Sequence, residues 1–158
     1  MLASLNKLSE ELINRSIKLV TVESCTGGWI GKIITDIAGS SDWYEAGFIT
    51  YSNQAKTKLV NVSTNLLDTY GAVSIQVAEA MAQGALIKFP EAISVSVTGV
   101  AGPGGGSEEK PVGMVCIASC YQGVLISKRF DFKGDREQVR KQTVEEAIGV
   151  VLEASGCL

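Results

Sequence analysis

The feature of this sequence that most constrains its fold is a strand-like segment that passes directly into a helix. Residues 17–22 are largely apolar, and residues 29–37 have the periodicity of a helix. Small residues with hydroxyl, thiol or no side chains join the two segments: Ser24, Cys25, Thr26, Gly27 and Gly28. At such a junction the backbone N–H groups and the positive end of the helix dipole are directed at the same point, in front of the helix N-terminus. We therefore predict that a serine or cysteine here attacks a carbonyl carbon, while N–H groups of residues 26–28 bind the oxyanion.

The same turn has a purely structural interpretation. Ser24 or Thr26 would cap a helix, and Gly27 and Gly28 would permit close packing. Two successive glycines favour the functional interpretation, because glycine is a poor helix former and leaves the N–H groups uncovered. Binding of an anion or oxyanion would offset the loss of helix stability that the two glycines cause. Cys25 is the rival nucleophile, since a helix N-terminus can lower the pKa of a thiol.

The chain contains no histidine, so a nucleophile in this turn needs another base. Lysine can serve when burial and nearby N–H dipoles lower its pKa from about 10.4 toward neutrality. Lys56 lies about one helical turn inside an element that follows a strand ending at Tyr51. Lys56 is the candidate base, and Tyr51 could relay a proton or orient the substrate. The alternative is an ordinary solvated surface lysine.

The composition is that of a compact protein without a membrane segment. Of 158 residues, 46% are hydrophobic and 20% charged, and we predict one domain over residues 1–158. The net charge of −3 argues against nucleic-acid binding, which needs a basic surface. No apolar run approaches the roughly 20 residues of a membrane helix, so we expect no membrane association.

The cysteines predict neither a metal site nor a disulfide framework. There are four of them, with no Cys-x-x-Cys pair and no histidine to complete a zinc site: Cys25, Cys116, Cys120 and Cys157. Cys116 and Cys120 would share one face of a strand, where small buried thiols are common. We therefore predict structural cysteines, no bound metal and a cytoplasmic location.

Periodicity predicts an alternation of helices and strands. Helices are predicted over residues 4–16, 26–38, 53–60, 63–70 and 74–88 and after residue 135. Strands are predicted over residues 18–23, 48–51, 92–98, 114–121 and 124–132, the last two as an antiparallel hairpin. This order indicates the α/β class, with one mixed sheet and helices on both faces. Ligands bind such sheets at the carboxyl ends of strands, and Ser24, Tyr51 and Gly99 each follow a predicted strand.

Capping signals predict where several helices begin or end. Gly39 is predicted to end the second helix and Asn53 to cap the third. Asp135 is predicted to begin the last helix in a capping box with Gln138.

Two further segments are candidates for binding a phosphorylated substrate. The loop over residues 99–113 is too rich in glycine and proline for a plain connection. Its backbone amides could contact phosphate or ribose, with the Thr98 hydroxyl assisting and Gly99 beginning the loop. Arg136 and Arg140 lie one helical turn apart and could clamp a phosphate, because guanidinium groups pair bidentately with its oxygens. A solvated, salt-bridged helix is the ordinary alternative.

These segments together resemble the CinA C-terminal family, whose enzymatic members are nicotinamide mononucleotide deamidases. The matching segments follow one another along nearly the whole chain: residues 23–28 (ESCTGG), 38–41 (AGSS), 47–53 (GFITYSN) with Lys56, 70–74 (YGAVS), 98–103 (TGVAGP) and 134–136 (GDR). No single segment is specific, but the set is. The resemblance is to the stand-alone form of the family, without its larger N-terminal module.

The resemblance implies a three-layer α/β/α fold and hydrolysis of the carboxamide of nicotinamide mononucleotide, in pyridine nucleotide salvage. Ser24 matches the family's nucleophile, Lys56 the neighbouring base and Tyr51 an auxiliary tyrosine. Ser41 and Thr98 match positions associated with the substrate pocket. A pocket arginine is implied at one of two positions, Arg136 or Arg140.

The implied reaction needs no metal or cofactor, and the resemblance suggests a homo-oligomer whose partner molecule is the small substrate. Two other functions remain open at this point. One is a thiol amidase that uses Cys25. The other is a non-catalytic nucleotide-binding module linked to competence or DNA repair.

Overall fold

The computed structural model describes residues 1–156, and Cys157 lies outside the described residues. Five strands form one sheet: β1 Leu19–Glu23, β2 Tyr44–Ile49, β3 Ile93–Gly99, β4 Met114–Tyr121 and β5 Val124–Asp131. Their order across the sheet is β2-β1-β3-β4-β5. The first three are parallel to one another, whereas β4 and β5 run antiparallel to their neighbours. The predicted mixed sheet is confirmed.

Helices cover both faces of this sheet. They are α1 Leu2–Asn14, α2 Trp29–Thr35, α3 Asn53–Val60, α4 Thr64–Tyr70, α5 Ile75–Lys88 and α6 Arg136–Ala154. Apolar residues of α1, α2 and α6 form one core with the first face of the sheet. Residues of α3, α4 and α5 pack against the opposite face. The three-layer α/β/α arrangement is therefore confirmed. Among residues 1–156, no helix is both long and apolar enough to cross a membrane.

The second helix differs most from its prediction. It begins at Trp29 rather than three residues earlier, because Gly27 and Gly28 have φ angles of 61° and 100° that no right-handed helix contains. It ends at Thr35, so Gly39 does not terminate it. Gly39 instead precedes a short 3₁₀ helix over Ser40–Asp42.

Two further predictions concern the ends of helices. Ser52, not Asn53, caps α3, and its hydroxyl accepts a hydrogen bond from the Ala55 N–H. The capping box at the start of α6 is confirmed, since Asp135 and Gln138 bond each other's backbone N–H groups.

The three parallel strands bring the predicted site residues to one edge. Glu23 pairs with Ile49 of β2 and with Val97 of β3, so these strands end at nearly the same level. Ser24, Tyr51 and Gly99 therefore lie at the carboxyl edge of the sheet, where ligands bind in α/β folds.

A close approach between α5 and α3 holds the helix that contains Lys56. A Cβ atom added at Gly84 of α5 would lie 1.8 Å from the backbone carbonyl oxygen of Val60, at the end of α3. Such an overlap can be relieved only by moving one helix away from the other. Gly84 is therefore required for the packing of these helices.

We expect Gly84→Ala to lower the free energy of unfolding by roughly 1–3 kcal/mol, although alanine is the better helix former. Urea denaturation measures this change. Gly149→Ala is the matched control, because Gly149 also lies in a helix but nothing lies within 4 Å of an added Cβ. This control should be stabilising by about 0.5–1 kcal/mol. Equal stabilisation by both substitutions would contradict the packing argument.

Candidate active site

A cavity of about 250 Å³ opens at the carboxyl edge of the parallel strands. Seven of the candidate site residues line it: Ser24, Cys25, Tyr51, Lys56, Thr98, Gly99 and Arg136. A larger cavity of about 340 Å³ lies near the opposite edge. Its ionisable side chains are all exposed, namely Lys18, Glu45, Lys88 and Glu91, so this second cavity lacks a buried base.

Ser24 and Lys56 contact each other at the floor of the first cavity. The Lys56 Nζ lies 3.1 Å from Ser24 Oγ and donates a second hydrogen bond to the Thr50 carbonyl at 2.9 Å. Lys56 is only 1% exposed. Burial lowers the pKa of Lys56 from its ordinary value, and the neighbouring Cys25 thiol partly offsets this effect. An amine with a lowered pKa beside a hydroxyl can take the proton of that hydroxyl.

Cys25 also lines the cavity, but its thiol is a poor nucleophile. Burial raises the pKa of Cys25 to about 11, against smaller opposing effects that include the positive charges of Arg140 and Lys56. The thiolate is the reactive form of cysteine. The expectation that the start of α2 would lower this pKa is therefore wrong.

The glycine turn does not present its amides to the cavity as the sequence suggested. The Gly27 N–H donates to the Ser24 carbonyl at 3.0 Å, and the Gly28 N–H donates to the carboxylate of Glu23 at 3.0 Å. Thr26 is buried, and its hydroxyl donates to the same carboxylate. Left-handed backbone angles account for both glycines. Residues 26–28 do not line the cavity.

The two candidate phosphate arginines have different surroundings. Arg136 lines the cavity, and its guanidinium donates to the Gly102 carbonyl at 2.8 Å and to the Tyr51 hydroxyl at 3.2 Å. Arg140 instead donates to the carbonyl oxygens of Cys25 and Thr26, at 3.1 and 2.9 Å. The structure does not place Arg140 among the lining residues, so it does not bring the two arginines together in this cavity, and Arg136 is the better placed for a phosphate.

Arg140 is held against the nucleophile turn by a second contact. The centre of its guanidinium group lies 5.2 Å from the ring centroid of Trp29, in a cation–π arrangement. Together with the two hydrogen bonds to carbonyl oxygens, this contact fastens α6 to the turn. Arg140 therefore supports the backbone around Ser24.

Thr98 and Gly99 form the wall of the cavity at the end of β3. The Thr98 hydroxyl donates to the Ala72 carbonyl at 2.8 Å. A Cβ atom at Gly99 would lie 2.6 Å from a Val115 side-chain carbon and 2.9 Å from the Met114 carbonyl oxygen. Only glycine fits there, so the loop can begin directly beside β4.

Ser41 lies far from the cavity. It belongs to the short helix Ser40–Asp42 that precedes β2, whereas Ser24 follows the end of β1. Because β1 and β2 are parallel, the two serines lie at opposite ends of the strands, separated by roughly 15 Å or more at about 3.3 Å per residue. The Ser41 of one chain therefore lies too far away to contact a substrate bound at its own Ser24, and its place in a substrate pocket stays a prediction.

Sequence reasoning missed several residues of the site. Asn53, Ala72, Val73 and Ala101 also line the cavity. Asn53 could have been found, since it lies three positions before Lys56 and therefore on the same face of α3. Among residues 1–156, no group of three or more histidine, cysteine, aspartate or glutamate side chains is placed to hold a metal ion.

Comparison with known proteins assigns the family. Residues 2–155 match the CinA C-terminal domain. The nicotinamide-nucleotide amidohydrolase PncC of Escherichia coli K12 is 48% identical over 151 residues, covering 92% of each chain. The PncC of Pseudomonas putida is 46% identical over 147 residues, covering 93% of this chain and 92% of the relative. The crystal structure of the competence/damage inducible protein CihA from Agrobacterium tumefaciens superposes with a TM-score of 0.89 at 39% identity, covering 96% of this chain and 95% of that one. This chain belongs to the CinA C-terminal domain family.

Proposed function

We propose that this chain hydrolyses the carboxamide of nicotinamide mononucleotide to nicotinic acid mononucleotide and ammonia, as a step of pyridine nucleotide salvage. The observation that carries the proposal is the buried Lys56 amine, 3.1 Å from Ser24 Oγ at the floor of a cavity. The names of the two PncC relatives, nicotinamide-nucleotide amidohydrolases, supply the substrate. A buried serine–lysine pair suits an acyl transfer of this kind.

The first half of the proposed reaction forms an acyl-enzyme. Neutral Lys56 takes the Ser24 proton while Ser24 Oγ attacks the carboxamide carbon, which becomes tetrahedral. The resulting ammonium group then gives its proton to the amide nitrogen. The carbon–nitrogen bond breaks, ammonia leaves, and the nicotinoyl group stays esterified to Ser24. The second hydrogen bond, from Nζ to the Thr50 carbonyl, keeps the amine directed at Ser24 throughout.

The negative oxygen of the tetrahedral species requires N–H donors. In the Ser24 turn, the amides of Gly27 and Gly28 are already bonded within the protein. The Cys25 N–H donates to no other residue's backbone within residues 1–156, and Cys25 lines the cavity. We assign the oxyanion to the Cys25 N–H, because a preorganised donor at the cavity can stabilise developing charge.

Water completes the reaction by the same route in reverse. It enters the position that ammonia left, and Lys56 removes its proton as the water oxygen attacks the acyl carbon. Lys56 then returns that proton to Ser24 Oγ as the acyl–oxygen bond breaks. The Tyr51 hydroxyl accepts a hydrogen bond from Arg136, so its own hydrogen is free to bond the substrate. Tyr51 therefore orients the substrate at the cavity mouth.

The phosphate of the substrate is assigned to Arg136. Arg136→Gln should raise KM for nicotinamide mononucleotide roughly 10–100-fold, because one charge-assisted contact is lost. Arg140→Gln should instead lower kcat, since Arg140 holds the nucleophile turn. Steady-state kinetics separates these effects, with Arg129→Gln, at an exposed arginine of β5, as the control. A large KM increase confined to Arg140→Gln would contradict the assignment.

The proposal is tested by ammonia release from nicotinamide mononucleotide by the purified protein, with EDTA present throughout. We expect stoichiometric formation of ammonia and nicotinic acid mononucleotide. Free nicotinamide should be a much poorer substrate, because it lacks the phosphate that Arg136 binds. Absence of ammonia from the mononucleotide, for a folded protein, would refute the proposed activity.

A further inference from the structure

The carboxylate of Glu23 lies inside the turn that carries Ser24. Glu23 is the last residue of β1 and is fully buried. Its Oε2 accepts hydrogen bonds from the Thr26 hydroxyl at 2.6 Å and from the Gly28 and Ile30 N–H groups at 3.0 Å each. Its Oε1 accepts from the Gly31 N–H at 2.9 Å. Four donors, two in the turn and two at the start of α2, therefore converge on one side chain.

The main chain of Glu23 is linked to Lys56 through Thr50. The Thr50 N–H donates to the Glu23 carbonyl at 2.8 Å. The Thr50 carbonyl in turn accepts a hydrogen bond from Lys56 Nζ. The Glu23 side chain thus fixes the turn that carries Ser24. Its backbone carbonyl fixes Thr50, which in turn binds the Lys56 amine.

The surroundings of Glu23 are suited to a charged, acceptor-only group. None of the ion pairs within residues 1–156 includes this carboxylate, so backbone amides and the start of α2 compensate its burial. These amides are consequently unavailable to the substrate. The Glu23 carboxylate, rather than a bound ligand, is therefore the acceptor at the start of α2.

We propose that Glu23 is a positioning residue for the hydrolysis, which holds Ser24 Oγ at the distance from Lys56 that proton transfer requires. This inference rests on the proposed role of Ser24 as the nucleophile. A carboxylate is needed because a side-chain amide of the same shape offers one acceptor oxygen in place of two. Its NH₂ group would face an N–H donor of the turn.

The experiment measures the reactivity of Ser24 directly, without the amide substrate. A fluorophosphonate probe reacts with an activated serine, forming an oxygen–phosphorus bond and releasing fluoride, while the base takes the hydroxyl proton. The rate and site of labelling are followed by mass spectrometry, with Ser24→Ala as the unlabelled reference. Steady-state kinetics on nicotinamide mononucleotide is measured in parallel.

Glu23→Gln is expected to slow labelling roughly tenfold or more, and Glu23→Ala roughly 100-fold. In both, kcat should fall while KM stays within about threefold, because Glu23 contacts no substrate. Glu10→Gln, at an exposed glutamate of α1, should change nothing. Thr26→Val keeps the carboxylate and removes one of its donors, so it should slow labelling about fivefold. It serves in place of the Glu23 variants if these do not fold.

Each outcome decides one question. Folded Glu23→Gln, or Thr26→Val in its place, that is labelled at the wild-type rate overturns the positioning role. Wild-type protein that is labelled at Ser24 but releases no ammonia refutes the proposed function alone, and the labelling rates still decide the role of Glu23. Wild-type protein that is not labelled at Ser24 overturns this inference, because no activated hydroxyl is present to be positioned.

Discussion

Ser24→Ala is expected to lower kcat for nicotinamide mononucleotide by roughly 10⁴-fold or more, with little change in substrate affinity. The substitution removes the atom that forms the acyl bond, and removal of a nucleophile leaves only the catalysis due to binding and oxyanion stabilisation. Ser24 is small and lies at the cavity floor, so the variant should fold normally. Single-turnover measurements of ammonia release would detect the remaining activity.

Cys25→Ala is the matched comparison, because it removes the neighbouring nucleophile from the same turn. It should retain kcat within about tenfold, since the pKa of Cys25 is raised to about 11 and its thiol stays protonated at neutral pH. The comparison gives opposite results for the two mechanisms. A thiol amidase would be established if Cys25→Ala were inactive while Ser24→Ala retained near-normal turnover.

The sheet and the edge that carries the site could be predicted from local patterns. Strand-forming segments of β-branched residues and their alternation with helices indicate parallel strands, and parallel strands end at one edge. That Ser24, Tyr51 and Gly99 lie at this edge therefore follows from their positions after strands. The contact between Ser24 and Lys56 needed the family resemblance as well, because a lysine one turn into a helix is usually solvated.

The destination of the turn amides could not be predicted from the same patterns. A glycine pair at a helix start indicates uncovered N–H groups, but it does not show which acceptor they meet. Glu23, one residue before Ser24, turns its side chain into that position and accepts the Gly28 N–H. An acidic residue at the end of a strand was therefore the overlooked signal, since carboxylates favour helix N-termini.

Arg140 and Ser41 lie outside the cavity for different physical reasons. Arg136 and Arg140 share a helix face, as their spacing predicts, but one helical turn of about 5.4 Å separates them. That rise directs one guanidinium to the cavity and the other to the turn. Ser41 was assigned by resemblance alone, and the strand direction that separates it from Ser24 is a property of the whole sheet.

The pH dependence of kcat should show the protonation of Lys56. The base is competent only when neutral, so kcat should fall about tenfold per pH unit below the pKa of Lys56 and level off above it. Burial lowers this pKa, so the midpoint should lie below the 10.5 of an exposed lysine. Lys56→Met should abolish this fall in kcat at low pH, and it should lower the constant kcat reached at high pH (the plateau) roughly 10³-fold or more.

Three further variants assign this fall in kcat to Lys56 rather than to a neighbour. Cys25 and Tyr51 also line the cavity, and in Cys25→Ala the fall of kcat at low pH should persist. Lys58→Met, at an exposed lysine of the same helix, should leave the profile unchanged. Lys56→Arg should stay inactive even at alkaline pH, because a guanidinium group does not lose its proton. Recovery of Lys56→Met to the wild-type plateau would show that another group removes the Ser24 proton.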